Sequence, residues 1–383
     1  MQEESLAIHM RERPFQLKEA KNKGIKIIGY FPGNYVPEEL IYASGAVPLC
    51  LISGGDSRPA EAALSVVPQV ICPFARAQIG ERLLGKEPYY SMIDMLVAPV
   101  TCQHLKKVSE VWEYYGDLEI FKLGIPHQHI NDFDVEYFTD RLRALKDRLQ
   151  ELTGNEITDN KMCEAIELYN KMRKLLQNIS SLRRATPSLI SSLDFVKLNH
   201  ASLYADPVFM VDFLDSFYHE LKDKQQTSET EAPRILLIGP NIGYGDYKVL
   251  ELVKAAGGEI VIEEICEGIR NYWNHIESKG DLFQSLANGY LVDRIPCAFM
   301  RYSTRKRLDF MLKLIKDFAV SGVIWYELLC CETYDAESYF FSQEMRKRDI
   351  PMLILESDYS TADTGQFKTR IEAFIEILRG VMD

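Results

Sequence analysis

Short apolar runs alternate with amphipathic segments over most of the chain. The runs predict buried strands at residues 24–30, 47–52, 94–99, 118–123, 234–238, 259–263, 323–327 and 352–356. Segments with helical spacing lie between them, at residues 37–43, 105–115, 247–256, 282–287, 306–319, 336–347 and 367–378. Because strands and helices alternate, we expect right-handed crossovers and parallel sheets.

The period of the apolar positions changes in the middle of the chain. Residues 135–152, 159–179 and 207–224 have helical spacing with many charges between the apolar positions. The polar stretch KQQTSETEAP, residues 224–233, predicts a linker. The predicted fold is α/β, with two doubly wound parallel-sheet domains of the Rossmann or flavodoxin type. We predict these domains at residues 1–132 and 233–383, with a helical segment and the linker at residues 133–232.

The composition is typical of a soluble globular protein. Of the 383 residues, 46% are hydrophobic and 26% are charged, and the formal net charge is −12. This charge argues against binding of nucleic acid or an anionic membrane, both of which favour clustered Lys and Arg. The chain has neither an apolar run near the roughly 20 residues of a membrane span nor the apolar core of a signal peptide. We therefore expect a cytoplasmic protein whose eight cysteines are free thiols or ligands.

Several cysteines directly follow predicted strands or stand at predicted helix starts. In the stretch GVIWYELLCCETYD, a buried strand ends at Cys330 and Cys331 and a helix follows. Cys72, Cys102 and Cys266 have similar positions. Parallel sheets bind ligands at the carboxyl ends of their strands, and a helix start favours a thiolate over a thiol. Two such edges facing each other across a cleft would gather thiolates around an iron–sulfur cluster.

Zinc binding and core packing compete with cluster ligation as roles for the cysteines. Structural zinc sites usually contain CxxC pairs, which this chain lacks, although Cys102 and His104 form a CxH pair. Free cysteine is also a common core residue. Core packing accounts for Cys163 on an apolar helical face, and it competes with ligation for Cys50, which lies inside a predicted strand.

Other catalytic motifs are weak or absent. The loop GPNIGYGD after residue 238 matches neither GxGxxG nor a P-loop, so we interpret its glycines as turn residues. The chain has no GxSxG motif of a serine hydrolase. His127 and His129 are better explained as surface histidines than as site groups. Glu327 and Glu332 flank the Cys330–Cys331 pair and are candidate catalytic proton donors, although acidic residues at helix starts are more often caps.

Five stretches resemble the 2-hydroxyacyl-CoA dehydratase and benzoyl-CoA reductase superfamily, and together they cover nearly the whole chain. They read GYFPGNYVPEELIYASGAVPLCL, VICPFARAQIG, VAPVTCQHLKKVSEVWEYY, GVIWYELLCCETYDAESY and IPMLILESDYSTADTGQFKTRIEAFIEIL. In that superfamily three cysteines of a subunit hold a [4Fe–4S] cluster, and the matching positions here are Cys72, Cys102 and Cys331. The chain departs from the common TCDGKK pattern by reading TCQHLKK, which removes an acidic neighbour of the second cysteine.

One branch of the superfamily, the double-cubane cluster proteins, carries two cubanes bridged by a sulfide in each chain. This sequence is similar to that branch in having Cys50, Cys266 and Cys297 as further candidate ligands. Cys330 is an additional thiol that could replace one of these three.

The resemblance implies an anaerobic, ATP-dependent enzyme. A separate homodimeric activator, itself holding a [4Fe–4S] cluster, hydrolyses ATP and injects a low-potential electron into the catalytic component. The leading hypothesis is a homodimeric reductase that reduces a small molecule at a double-cubane [8Fe–9S] cluster. A [4Fe–4S] subunit of a 2-hydroxyacyl-CoA dehydratase is the second hypothesis, and a non-catalytic iron–sulfur cluster carrier is the third.

Overall fold

The computed structural model describes residues 2–33, 35–129, 131–223, 232–300 and 302–382. Eight strands in this part of the chain form two separate four-stranded sheets, and every pairing in both sheets is parallel. The prediction of an α/β fold with two parallel sheets is therefore confirmed. Most of the predicted linker, residues 224–231, lies outside the described residues, as does Arg301.

The two sheets have the same strand order. The first contains β1 (Ile27–Tyr30), β2 (Val47–Cys50), β3 (Met95–Val100) and β4 (Glu119–Gly124), in the order β2-β1-β3-β4. The second contains β5 (Arg234–Ile238), β6 (Glu259–Glu264), β7 (Gly322–Leu328) and β8 (Met352–Ser357), in the order β6-β5-β7-β8. In both sheets the strand order reverses between the first and third strands of the sheet, and this is where flavodoxin-like folds bind ligands.

Helices surround both sheets. Those that precede or belong to the first sheet are Gln2–Asn22, Glu38–Ala43, Ser57–Ala62, Pro73–Leu84, Pro88–Met92 and Gln103–Tyr115. Those of the second sheet are Lys248–Ala255, Ile269–Tyr272, Leu282–Ala287, Ser303–Asp317, Glu332–Arg346 and Thr364–Met382, and a π-helical turn spans Asn288–Asp293. Between the sheets the chain forms helices Asp132–Thr153, Asp159–Ser181, Ser192–Ser202 and Pro207–Asp223. Short 3-10 turns lie at Ala63–Ser65 and Leu182–Arg184.

The apolar residues of the strands form the core, as expected for parallel strands covered on both faces. All seven residues of β7 are buried, including Trp325 and Tyr326. The middle helices contribute to the cores of both sheets, since Leu142 packs in one cluster and Leu176 in the other. Among the described residues, no helix has both the length and the apolar character that crossing a membrane requires.

Several helices begin earlier than their apolar spacing predicts. The spacing predicts starts at residues 105 and 336, whereas the helices begin at Gln103 and Glu332. The reason is that polar residues fill the first turn of a helix, where free N–H groups face a cap rather than the core. The earlier starts make Cys102 and Cys331 the residues that cap these two helices.

Candidate functional site

Two glycine-containing loops bring the two sheets together at their carboxyl edges. The loop after β2 and the loop after β5 meet in a parallel bridge between Ser53 and Tyr244. The N–H of Gly54 donates to the Tyr244 carbonyl at 3.0 Å, and the N–H of Tyr244 donates to the Ile52 carbonyl at 2.6 Å. A Cβ atom on Gly243 would lie 2.7 Å from the Cα of Gly54. The glycines of GPNIGYGD therefore allow close contact between two halves of the molecule, which is more than the turn role that the sequence suggested.

Beside this contact, a cavity opens at the carboxyl ends of strands from both sheets. Its volume is about 50 Å³. Its walls include Pro32 and Gly33 after β1, Thr101 after β3, and Pro240 and Asn241 after β5. The cavity thus lies where the strand order reverses in both sheets, which is the expected position of a ligand site.

Five cysteines line this one cavity. The first sheet provides two of them and the second sheet provides three, and they are Cys72, Cys102, Cys266, Cys297 and Cys331. The remaining walls are largely apolar and include Phe74, Leu105, Phe299 and Leu328. The sequence placed thiols after strands of both sheets, and in the structure these thiols lie around a single cavity.

Three of the cysteines are the N-cap residues of helices. Cys72 directly precedes helix Pro73–Leu84, and Cys331 directly precedes helix Glu332–Arg346. Cys102 caps helix Gln103–Tyr115, and its Sγ accepts a hydrogen bond from the N–H of Leu105 at 3.5 Å. A helix start directs N–H groups and positive dipole towards a sulfur anion.

Burial outweighs the helix starts in setting the pKa values of these three thiols. Burial raises the pKa of Cys72 to about 12, and the nearby Cys102 sulfur adds to the rise. Burial likewise raises the pKa of Cys331, with further contributions from Cys72 and Cys102, and it raises the pKa of Cys102. The sequence suggested that helix starts would favour thiolates, but desolvation in an apolar wall has the larger effect. Thiols of this kind lose their protons when a metal binds.

Cys266 and Cys297 form a second group whose side chains are hydrogen-bonded to each other. The backbone N–H of Cys266 donates to the Pro240 carbonyl at 2.7 Å, and that of Cys297 donates to the Tyr35 hydroxyl at 3.2 Å. The hydrogen bond from Cys266 lowers the pKa of Cys297 to about 5, and the cations Arg270 and Arg307 also lower it. The same hydrogen bond and burial raise the pKa of Cys266. The two thiols therefore form one coupled acid–base pair, in which Cys297 holds its proton less tightly than Cys266.

A buried ionic network lies beside the second group. Arg270 Nε is 2.9 Å from Glu264 Oε1, and Arg307 Nη2 is 3.0 Å from Glu264 Oε2. Arg307 also pairs with Glu337. All four side chains are buried, and the two cations are balanced by two carboxylates. Local sequence patterns gave no sign of this network, because its members lie on a strand and three helices.

The donor set fits an iron–sulfur cluster. Cysteine thiolates are the soft ligands that iron–sulfur clusters take, and an apolar wall excludes water from them. Among the described residues, no group of three or more His, Cys, Asp or Glu side chains is arranged to hold a single metal ion. Five thiols around one cavity are more than a single metal ion takes, so the donor set suits a polynuclear group.

The family of proteins described as 2-hydroxyglutaryl-CoA dehydratase, D-component, matches residues 34–378. The chain belongs to this family. The resemblance to the 2-hydroxyacyl-CoA dehydratase and benzoyl-CoA reductase superfamily is therefore confirmed.

Three relatives of the dehydratase D-component family are similar to the chain over most of its length. YjiM of Escherichia coli (strain K12), whose name gives it as a dehydratase subunit, is 28% identical over 94% of this chain and 93% of its own. The C subunit of benzoyl-CoA reductase from Thauera aromatica is 25% identical over 88% of this chain and 86% of its own. The beta subunit of (R)-2-hydroxyglutaryl-CoA dehydratase from Acidaminococcus fermentans is 24% identical over 94% and 95%.

Other predicted site residues of this D-component family member lie away from the cavity walls. Cys50 ends β2 and is buried beside Tyr30, and Cys330 is partly exposed with a φ of 63°. Glu327 accepts a hydrogen bond from Trp325 Nε1 at 3.0 Å, and burial raises its pKa to about 7. Glu332 is exposed in the first turn of its helix. None of these four lines the cavity, so their ligand and catalytic roles stay predictions.

The structure also identifies a cavity residue that sequence reasoning missed. Tyr334, three residues after Cys331, lines the cavity and is 1% exposed. Its position in the first turn of a helix that follows a candidate ligand was a usable signal. Sequence reasoning gave the ligand and proton-donor roles to cysteine and glutamate residues only, so this tyrosine received no role.

Proposed function

We propose that this chain is a reductase component that accepts low-potential electrons from an ATP-hydrolysing activator and reduces a small molecule at a double-cubane [8Fe–9S] cluster. The observation that carries the proposal is the meeting of five cysteines from both sheets around one cavity. A single [4Fe–4S] cluster held by three cysteines would leave two of these thiols without a ligand role.

The arrangement of the thiols supports a division into two sets. Cys72, Cys102 and Cys331 influence one another's pKa values and would hold one cubane. Cys266 and Cys297, joined by their hydrogen bond, would hold the other. Electrostatic coupling of Cys297 to both Cys102 and Cys331 supports close approach of the two sets. Cys50 and Cys330 are the sequence candidates for a sixth ligand.

The chain's own residues would prepare the cavity for reductive chemistry. The cluster, when bound, would supply iron sites at low potential for electron transfer to the substrate. Phe74, Leu105 and Phe299 would exclude water from the cavity. Arg270 and Arg307 would offset negative charge on the side of Cys297, whose pKa they already lower. Glu327 and Glu332 remain our candidates for proton supply.

The second candidate function is that of a [4Fe–4S] subunit in a 2-hydroxyacyl-CoA dehydratase. The relatives favour it, because two of the three are named as dehydratase subunits and the matching family is described as a dehydratase component. In that case Cys72, Cys102 and Cys331 would hold the cluster, and a second, different subunit would complete the enzyme. The reductase proposal instead expects a homodimer, and both expect an activator partner.

Iron and acid-labile sulfide analysis of protein purified without oxygen tests the proposal. The double-cubane reductase should contain about eight iron atoms per chain. It should reduce a small-molecule acceptor only when the activator and ATP are supplied. About four iron atoms per chain, together with copurification of a different homologous subunit, would favour the dehydratase. A chain that binds no iron under reducing, oxygen-free conditions would overturn both functions.

A further inference from the structure

The Tyr334 hydroxyl is a buried polar group without a protein partner. Tyr334 lines the thiol cavity and is 1% exposed, and its Oη has no hydrogen-bond partner in the part of the chain that the structure describes. Folded proteins pair nearly all buried polar groups, because an unpaired one loses its hydration without compensation. An unpaired hydroxyl in a cavity wall therefore points to a hydrogen-bond acceptor inside the cavity.

The ring of Tyr334 is held firmly in place. Its backbone N–H donates to the Cys331 carbonyl at 3.0 Å, which fixes the residue in the turn that follows a candidate ligand. The Trp325 ring centroid lies 5.9 Å from that of Tyr334. The guanidinium carbons of Arg307 and Arg270 lie 5.0 Å and 5.7 Å from the Tyr334 ring centroid. Three neighbours packed against the ring leave the hydroxyl little freedom to turn elsewhere.

The surroundings also keep the hydroxyl protonated. Burial raises the pKa of Tyr334, and this effect exceeds the opposing effects of Arg270 and Arg307. A raised pKa favours the protonated hydroxyl, which is the form that donates a hydrogen bond. The sulfurs of Cys266 and Cys297 also raise the pKa of this hydroxyl.

We propose that Tyr334 is a positioning residue whose hydroxyl donates a hydrogen bond to a sulfur atom of the cluster in this cavity. The proposal rests on the proposed function, since it requires a cluster between the two groups of thiols. A hydrogen bond to sulfur stabilises the more negative, reduced state of a cluster and so raises its reduction potential. Removing the hydroxyl while keeping the ring should shift the midpoint potential to more negative values.

The test compares EPR-monitored redox titrations of wild type, Tyr334→Phe and Tyr272→Phe, all loaded with iron and sulfide without oxygen. Tyr272 is a matched control, because it is fully buried near the same sheet and its hydroxyl donates to Ser180 Oγ at 3.0 Å. We expect a more negative midpoint potential in Tyr334→Phe and the wild-type potential in Tyr272→Phe. The EPR signal comes only from loaded chains, so partial loss of cluster does not affect the comparison.

The possible failures are distinguishable. If wild type takes up no cluster, the proposed function fails at the first step. If wild type is loaded and Tyr334→Phe titrates at the same potential, the role of Tyr334 is wrong while the proposed function stands. An equal shift in Tyr272→Phe would also overturn the role, because it would trace the effect to general packing.

Discussion

The backbone N–H of Cys72 donates a hydrogen bond to Nδ1 of His104 at 3.2 Å. His104 is two residues beyond Cys102, so one imidazole connects the loops that carry two of the cavity thiols. An accepting Nδ1 places the proton of the neutral ring on Nε2. The sequence TCQHLKK departs from the common family pattern at this point, and the histidine gives that departure a structural role.

Replacement of His104 should therefore weaken both the fold and the site. We expect His104→Ala to lower the free energy of unfolding by about 1 kcal/mol, the typical loss for one hydrogen bond, and to reduce iron content. His104→Asn, which retains an acceptor close to the backbone, should retain more of both. Urea denaturation and iron analysis measure these effects, with the exposed His219→Ala as control. Equal iron content in His104→Ala and wild type would contradict the role.

Gly243 should be intolerant of any side chain. An added Cβ would lie 2.7 Å from the Cα of Gly54, which is too close for backbone atoms that cannot move independently. Gly243→Ala should push the two sheets apart, destabilise the protein and reduce iron content. Gly365→Ala adds the same methyl group where no atom lies within 4 Å and should leave both properties unchanged. A thermal unfolding curve for Gly243→Ala that overlays that of Gly365→Ala would show that the contact is not tight.

Arg307 should be important for stability because it balances two buried carboxylates, Glu264 and Glu337. Removing one partner of a buried ion pair typically costs about 3–5 kcal/mol, since the remaining charge stays buried without a partner. We expect a loss of this size in Arg307→Ala, measured by urea denaturation of the metal-free protein. Arg305, on the same helix with its side chain 79% exposed, is the matched control, and Arg305→Ala should change stability by less than about 0.5 kcal/mol. Equal stabilities of the two variants would refute the argument.

Asp246 should make the protein less stable as pH rises. Burial raises the pKa of Asp246 from 3.8 to about 7. The carboxylates of Glu267 and Asp363 add to this rise, whereas the hydrogen bond from the Tyr326 hydroxyl and the charge of Lys248 lower the pKa. Because the folded pKa exceeds the unfolded one, its stabilising contribution is complete below pH 3.8 and is lost as pH rises through about 7. The full loss is on the order of 4 kcal/mol.

The Asp246→Asn variant isolates this effect. Its amide oxygen can still accept the Tyr326 hydroxyl bond, which is 2.7 Å long in the wild type, but it does not ionise. Between pH 4 and pH 8, urea denaturation should show a smaller fall in unfolding free energy for Asp246→Asn than for wild type. The exposed Asp215→Asn should follow the wild-type curve. Parallel curves for all three proteins would mean that Asp246 is ionised in the folded state throughout this range.

The strands and much of the cavity lining could be predicted from the sequence. Apolar runs such as that of β7 identify a strand without knowledge of its neighbours, and the topology of parallel sheets then brings residues such as Cys102 and Cys331 to one edge. Cys50 is a predicted ligand because the chain resembles the double-cubane branch and because two bridged cubanes need six ligands. Its place at the end of β2, away from the cavity walls, depends on the register of the sheet, which local patterns do not encode.

Other features depend on contacts between distant residues. Glu264, Arg307 and Glu337 form one network although they lie far apart along the chain. Helix Ser192–Ser202 was missed because its buried face contains polar residues such as Asn199 and His200, which obscure the helical spacing. Its start carried a readable signal, since Ser191 caps the helix by accepting from the N–H of Asp194.

Iron content of single cysteine variants tests the central claim most directly, namely that thiols from both sheets hold one cluster in the shared cavity. The comparison uses Cys102→Ser, Cys266→Ser and Cys331→Ser, with Cys163→Ser as control because Cys163 does not line the cavity. All four chains are purified without oxygen and analysed for iron and sulfide per folded chain. We predict that the three cavity variants lose iron and that Cys163→Ser keeps the wild-type content. Full wild-type iron in Cys331→Ser and Cys266→Ser would contradict the claim.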